Sequence, residues 1–206
     1  MKEIELIIVL DSSGSMYGIR NNTLRGINEL LDKQRMEGPT RVTIVSFSHI
    51  AVPLVCGEDI NDISEMTEED YDPTGSTALY DGIGMAIEMA EKRKVVSNED
   101  IGVMLVIITD GYENASCKYN QLQIKKILEQ KEEDGWIISY LGANINSHEE
   151  ASKIGATYAA NWTTNASSVG TLYSSVNDVS SVLRSASMDQ LDEKIKYVYE
   201  VNLGNG

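Results

Sequence analysis

Basic residues, cysteine, histidine and long apolar runs are all scarce in this 206-residue chain, and each shortage removes a class of function. Lys and Arg number 17 against 32 Asp and Glu, a formal charge of −15. Phosphate backbones and anionic lipid surfaces bind clustered cations, so nucleic acid and membranes are set aside as partners. Cys56 and Cys117 are the only cysteines, and neither lies in a CxxC pair or a Cys/His cluster. That removes thiolate metal sites and a disulfide framework, and two lone thiols fit a reducing, cytoplasmic setting. His49 and His148 have no metal-ligand spacing between them. The N-terminal stretch "MKEIELIIVL" has only five apolar residues after Glu5 and no small-residue cleavage site. No later run is long enough to span a bilayer. A soluble intracellular protein, monomeric on its own, is the expectation.

What the chain does have is a core. Hydrophobic residues make up 42% of it, enough to exclude global disorder. Residues 4–10 read as a strand apolar on both faces, hence central in a covered sheet. Residues 19–36 follow as a helix with Leu24, Ile27, Leu30 and Leu31 on one stripe, stopped by "EGPT" at 37–40. A β-branched strand at 41–47 is separated by Ser48 and His49 from a second apolar run at 50–55. That gap predicts a hairpin and therefore an antiparallel edge strand.

An acidic connection at 57–72 leads to a loop marked by Pro73 and Gly75, where Thr77 has the chemistry of a helix N-cap. The helix continues to Arg93. A second buried strand, 103–109, ends in "ITDG". A helix at 120–133, a strand at 136–141, a short helix at 147–154 and a weak strand at 157–160 complete the alternation. Past Asn161 comes a polar stretch and a helix-like segment at 169–184. The expected fold is α/β: a doubly wound three-layer α/β/α domain over residues 1–185, its central sheet mostly parallel with one antiparallel edge strand. Residues 186–206 form a C-terminal extension compatible with helix, strand or tail.

Doubly wound sheets bind ligands at the carboxyl ends of their strands, where the strand order reverses. Asp11 and Asp110 each follow a buried strand directly, so two carboxylates meet if those strands flank the reversal. Asp11, Ser13 and Ser15 alternate along one turn, and Thr77 arrives from a separate glycine-containing loop. Oxygen-only donors suit a hard divalent cation. Three alcohols and two carboxylates, some acting through water, fill all but one position of an octahedron. Magnesium is the first choice, with manganese or calcium as alternatives. Because alcohols are neutral, such a metal stays electrophilic and open to an outside carboxylate. Ser12 is assigned to local packing. Asp72 and Asp81, flanking the second loop, either hold water or backbone amides or are plain surface, and Glu113 and Asn114 belong to loop structure.

Three strings carry a family resemblance: "DSSGS" at 11–15, "TGST" at 74–77 and "ITDG" at 108–111. Together they resemble the three loops of a von Willebrand factor type A domain and its metal ion-dependent adhesion site, over roughly residues 3–160. The resemblance implies direct metal binding by Ser13 and Ser15, a largely water-mediated role for Asp11, and Thr77 and Asp110 as the second-loop and third-loop ligands. It also implies a non-enzymatic module whose metal is completed by an Asp or Glu of a partner protein. Against the −15 charge, that carboxylate would best sit in a basic or neutral surface.

Two enzymatic readings compete. Ser15, Asp110 and His148 occur in the chain order of an α/β-hydrolase triad, yet no G-x-S-x-G elbow is present; the nearest string is "SGSMYG" at 13–18. Asp11 after the first strand is placed like a phosphatase nucleophile, but position 13 holds serine where that chemistry needs a second aspartate. Neither a G-x-G-x-x-G cradle nor a Walker motif occurs.

Overall fold

The computed structural model describes residues 2–93, 101–186 and 188–203. Strand β1, Glu3–Asp11, is buried from residue 4 onward, because its side chains pack into apolar layers on both sides. Ile4, Leu6, Ile8 and Leu10 enter one layer, Ile7 and Val9 the other. A 3-10 turn, Gly14–Ile19, leads into helix α1, Arg20–Glu37. Strands β2, Thr40–Phe47, and β3, Ala51–Asp59, form the expected antiparallel hairpin. Then follow α2, Leu79–Lys92; β4, Ile101–Thr109; α3, Gln121–Glu133; β5, Ile137–Ala143; α4, Ser147–Ile154; β6, Tyr158–Trp162; and α5, Ala166–Ser185.

The six strands lie in the order β3-β2-β1-β4-β5-β6. All neighbours are parallel except β2 and β3. The order reverses between β1 and β4, so the ends of those strands open on the crevice that doubly wound sheets use for ligands. Helices α1 and α5 cover one face, and α2, α3 and α4 cover the other. This is the three-layer architecture expected. The edge strand β3 carries Pro53 and register irregularities against β2, devices that blunt an exposed edge.

Residues 188–203 form a helix, α6, Met188–Leu203. Leu191, Ile195, Tyr199 and Leu203 are buried in the same layer as α1 and α5, and the Tyr199 hydroxyl donates to Ser139 Oγ of β5 at 2.8 Å. Between α1 and α5 a buried polar pair sets the register: Gln34 Nε2 donates to Asn177 Oδ1 at 2.6 Å.

Glu5 interrupts the apolar reading of β1. Its side chain is buried and ion-paired with Arg93, yet desolvation outweighs the guanidinium and holds its pKa above the ordinary 4.5. A carboxyl that keeps its proton more tightly when folded stabilises the fold at low pH and loses that contribution as pH rises through the folded value. Relative to Glu5→Gln, the wild type should therefore lose stability as pH climbs from about 4.5, measured by urea unfolding across a pH series.

Gly26 of α1 faces the Tyr173 ring of α5 so closely that a Cβ would overlap it. Gly26→Ala gains about 1 kcal/mol of helix propensity but overpacks a buried aromatic at a cost of about 1–3 kcal/mol. The expected net result is a lower melting temperature, read by calorimetry.

Candidate functional site

Asp11 is the last residue of β1 and is fully buried. Both of its carboxylate oxygens are engaged: Ser13 N–H donates to Oδ1 at 2.7 Å, and the Thr109 hydroxyl donates to Oδ2 at 2.6 Å. Its backbone carbonyl accepts from the buried Tyr71 hydroxyl at 2.6 Å. Burial raises the Asp11 pKa. The bonds from Thr109 and Ser13 pull it back down, and the nearby Asp110 charge pushes it up again. Ser12, expected to pack locally, instead reaches the neighbouring strand β2, its amide and hydroxyl both donating to Phe47 O at 2.7 and 3.0 Å.

The alternation of residues 11, 13 and 15 turns the serines toward the second carboxylate. Ser13 Oγ and Ser15 Oγ lie 3.1 Å apart, and Ser15 Oγ donates to Asp110 Oδ1 at 2.5 Å. Asp110 follows β4 immediately, and burial raises its pKa while the Ser15 bond opposes the rise. Loops one and three thus meet where β1 and β4 end. Thr77 is buried, and its hydroxyl oxygen lies 3.5 Å from where a Cβ on Gly111 would stand. Hydrogen bonds link Ser13 to Asp11 and Ser15 to Asp110, with the two serines in contact, and Thr77 stands beside Gly111, the neighbour of Asp110.

Backbone hydrogen bonds fix the loops pairwise. Gly14 N–H donates to Gly75 O at 3.1 Å and Thr74 N–H to Ser12 O at 2.7 Å. Gly75 is left-handed, φ +78°, with His49 against its open side, so glycine is required there. Thr77 N–H donates to Asn114 Oδ1 at 2.9 Å, and Asn114 N–H returns to Thr77 O at 3.0 Å. Thr77 is not the N-cap of α2. The helix begins at Leu79 after Ala78, whose side chain caps nothing. Instead the Glu113 carboxylate accepts from Tyr80 N–H at 3.0 Å, supporting the first turn from the third loop.

Asp81 proves to be a support. Its carboxylate accepts from the backbone amides of Cys117, Lys118 and Tyr119 at 2.9–3.0 Å. Asp72 is exposed and 3.8 Å from Arg20, a surface pair. Tyr71 and Thr109 are participants that the sequence reading missed. Tyr71 sits in an acidic connection without periodicity, and Thr109 looks like any β-branched strand residue.

Among the described residues no group of three or more His, Cys, Asp or Glu could hold a metal. Any cation at this crevice would depend on the hydroxyls of Ser13, Ser15 and Thr77 beside Asp11 and Asp110. That donor set, all oxygen with two carboxylates, fits a hard divalent cation.

The sequence profile of the von Willebrand factor type A domain matches residues 5–180. The chain belongs to this family. Domains of this family are typically adhesion or protein-interaction modules. Comparison with the curated proteins finds none that matches. Among solved structures, the chain is similar to the PilB minor pilin from Streptococcus sanguinis, with TM-score 0.64 and 13% identity over 87% of this chain and 61% of that one. It is also similar to proximal thread matrix protein 1 from the mussel byssus, with TM-score 0.65 and 20% identity over 87% of this chain and 48% of that one. A further structure of that byssus protein has a zinc-occupied MIDAS motif (TM-score 0.59, 15% identity, 87% and 46% coverage). The chain spans between about half and three-fifths of these proteins' lengths. No helix among the described residues is long and apolar enough to cross a membrane.

Tyr71→Phe removes the donor to the Asp11 carbonyl and leaves a buried acceptor unsatisfied. A destabilisation of about 1–3 kcal/mol is expected, measured by denaturant unfolding, with Tyr173→Phe as a control because the Tyr173 hydroxyl is buried without a partner.

Proposed function

We propose that this chain is a cation-dependent protein-binding module. Ser13, Ser15 and Thr77 would supply neutral oxygens and Asp11 and Asp110 the charge, holding magnesium, or in its place manganese or calcium. A divalent cation bound there supplies an electrophilic centre for the Asp or Glu side chain of a partner protein. The observation that carries the reading is the 2.5 Å bond from Ser15 Oγ to Asp110 Oδ1, which ties the serine turn after β1 to the carboxylate after β4. Burial that raises both aspartate pKa values disfavours an uncompensated pair of charges, and a cation relieves that cost. The zinc-occupied motif of the byssus protein is further support for a divalent ion.

The residues act as a cradle. Asp11, held by Thr109 and Ser13, fixes the turn that presents the two serines. The pairwise bonds with Asn114 hold Thr77 against the third loop. The enzymatic readings gain nothing here. Ser15 donates to a carboxylate rather than to histidine, and His148 faces a cavity beside β6 and α6. Asp11 is buried and held by Ser13 N–H and the Thr109 hydroxyl, the place of a supporting carboxylate and not of a nucleophile displayed to a substrate. Action as a monomer and in a reducing compartment belong to the same proposal. The second rests on Cys56 and Cys117, both exposed and unpaired, and the pilin and byssus similarities lend it no support.

Titration calorimetry with magnesium and manganese tests the cation. The Ser13→Ala/Ser15→Ala double variant should bind at least about tenfold more weakly, roughly 1.4 kcal/mol, while melting as a folded protein. Unchanged affinity would sink the proposal. Zinc run in parallel ranks the hard-ion preference of this donor set.

A further inference from the structure

Among the described residues eight large apolar side chains stand exposed. Single ones scattered on a surface need no explanation, but three of these share one pole. Tyr17, 63% exposed, is two residues beyond Ser15; Tyr112, 54% exposed, is two residues beyond Asp110. Ile50, also 54% exposed, tips the turn between β2 and β3. That turn is tied into the crevice: Ala78 N–H donates to Ser48 O at 2.6 Å, and the His49 ring lies against Gly75. Each side chain therefore comes from a separate segment bordering the crevice.

Charge is nearly absent from the same rim. In residues 12–18, 48–51, 73–78 and 111–115, His49 aside, the only side chain charged at neutral pH is Glu113. Its carboxylate is spent inward, accepting from the amides of Tyr80, Ala115 and Ser116 and from the Ser116 hydroxyl. Asp81 is likewise consumed by three amides, and Asp72 lies beside Arg20. A chain of −15 overall thus presents an uncharged, partly aromatic collar where its acidity would most readily have recruited basic residues. Apolar and aromatic side chains at the centre of an interface supply most of its binding energy.

We propose that Tyr17, Ile50 and Tyr112 form a specificity collar selecting a protein segment in which the incoming Asp or Glu is flanked by large apolar residues, not by basic ones. The inference rests on the cation-dependent reading above and deepens it. On that reading the crevice takes the carboxylate, and the collar desolvates its neighbours.

The test is selection of displayed random peptides with a fixed central Asp on manganese-loaded protein, beside a library with Asn at that position. Leu, Phe, Met, Ile or Trp should be enriched next to the Asp, and only while metal is present. A Tyr17→Ser/Ile50→Ser/Tyr112→Ser variant should bind manganese as the wild type does, because those side chains are exposed and are not among the candidate ligands. It should lose the flank preference and bind the selected peptide at least about tenfold more weakly. Metal-dependent binding with basic or random flanks, or enrichment that survives in the variant, overturns the collar and leaves the cation reading standing. Enrichment that is indifferent to chelator or to Asp against Asn overturns both.

Discussion

A carboxylate with no access to water is the constraint around which this molecule is arranged. Asp11 ends the central strand, and its charge is tolerated only because each oxygen finds a donor: Ser13 N–H on one side, the Thr109 hydroxyl on the other. An unpaired buried charge would cost several kcal/mol or force protonation. Thr109 can reach it only because β4 lies beside β1, and Ser13 only because the chain turns immediately after the strand. The strand order, the turn and the third loop are thereby coupled through one side chain.

From that point order spreads outward. The first loop is bonded to the second through Gly14 and Thr74, and the second to the third through Thr77 and Asn114. Glu113 and Asp81 turn their charges inward to hold backbone amides, as capping groups do. The base of the crevice is therefore held by hydrogen bonds, while the side chains at its tips, Tyr17, Ile50 and Tyr112, stand exposed. Rigid support under variable tips is a general way to combine positioned chemistry with selectivity.

Much of this was legible in the sequence, for identifiable reasons. Strands buried on both faces read as continuous apolar runs, the short gap at Ser48 and His49 announced the hairpin, and aspartates directly after two such strands marked the crevice. What stayed hidden depends on tertiary contact. Tyr71 reaches the Asp11 carbonyl across a loop with no pattern. Thr77 resembles a cap, yet Ala78 occupies that place and Thr77 faces the third loop. Residues 195–201, "IKYVYEV", alternate like a strand. The structure instead follows the four-residue spacing of Leu191, Ile195, Tyr199 and Leu203, burying that stripe and leaving Tyr197 and Val201 outside. Two periodicities coexist in the same letters, and packing against α5 and β6 decides between them.

The bonds that shape the crevice join residues 95 and 98 positions apart. Closing such loops is entropically unfavourable until many strand contacts form together, so non-local topologies of this kind are slow to assemble. The crevice therefore has no precursor in any local fragment. It comes into being only with the β1–β4 pairing, which brings residues from the two ends of that separation together.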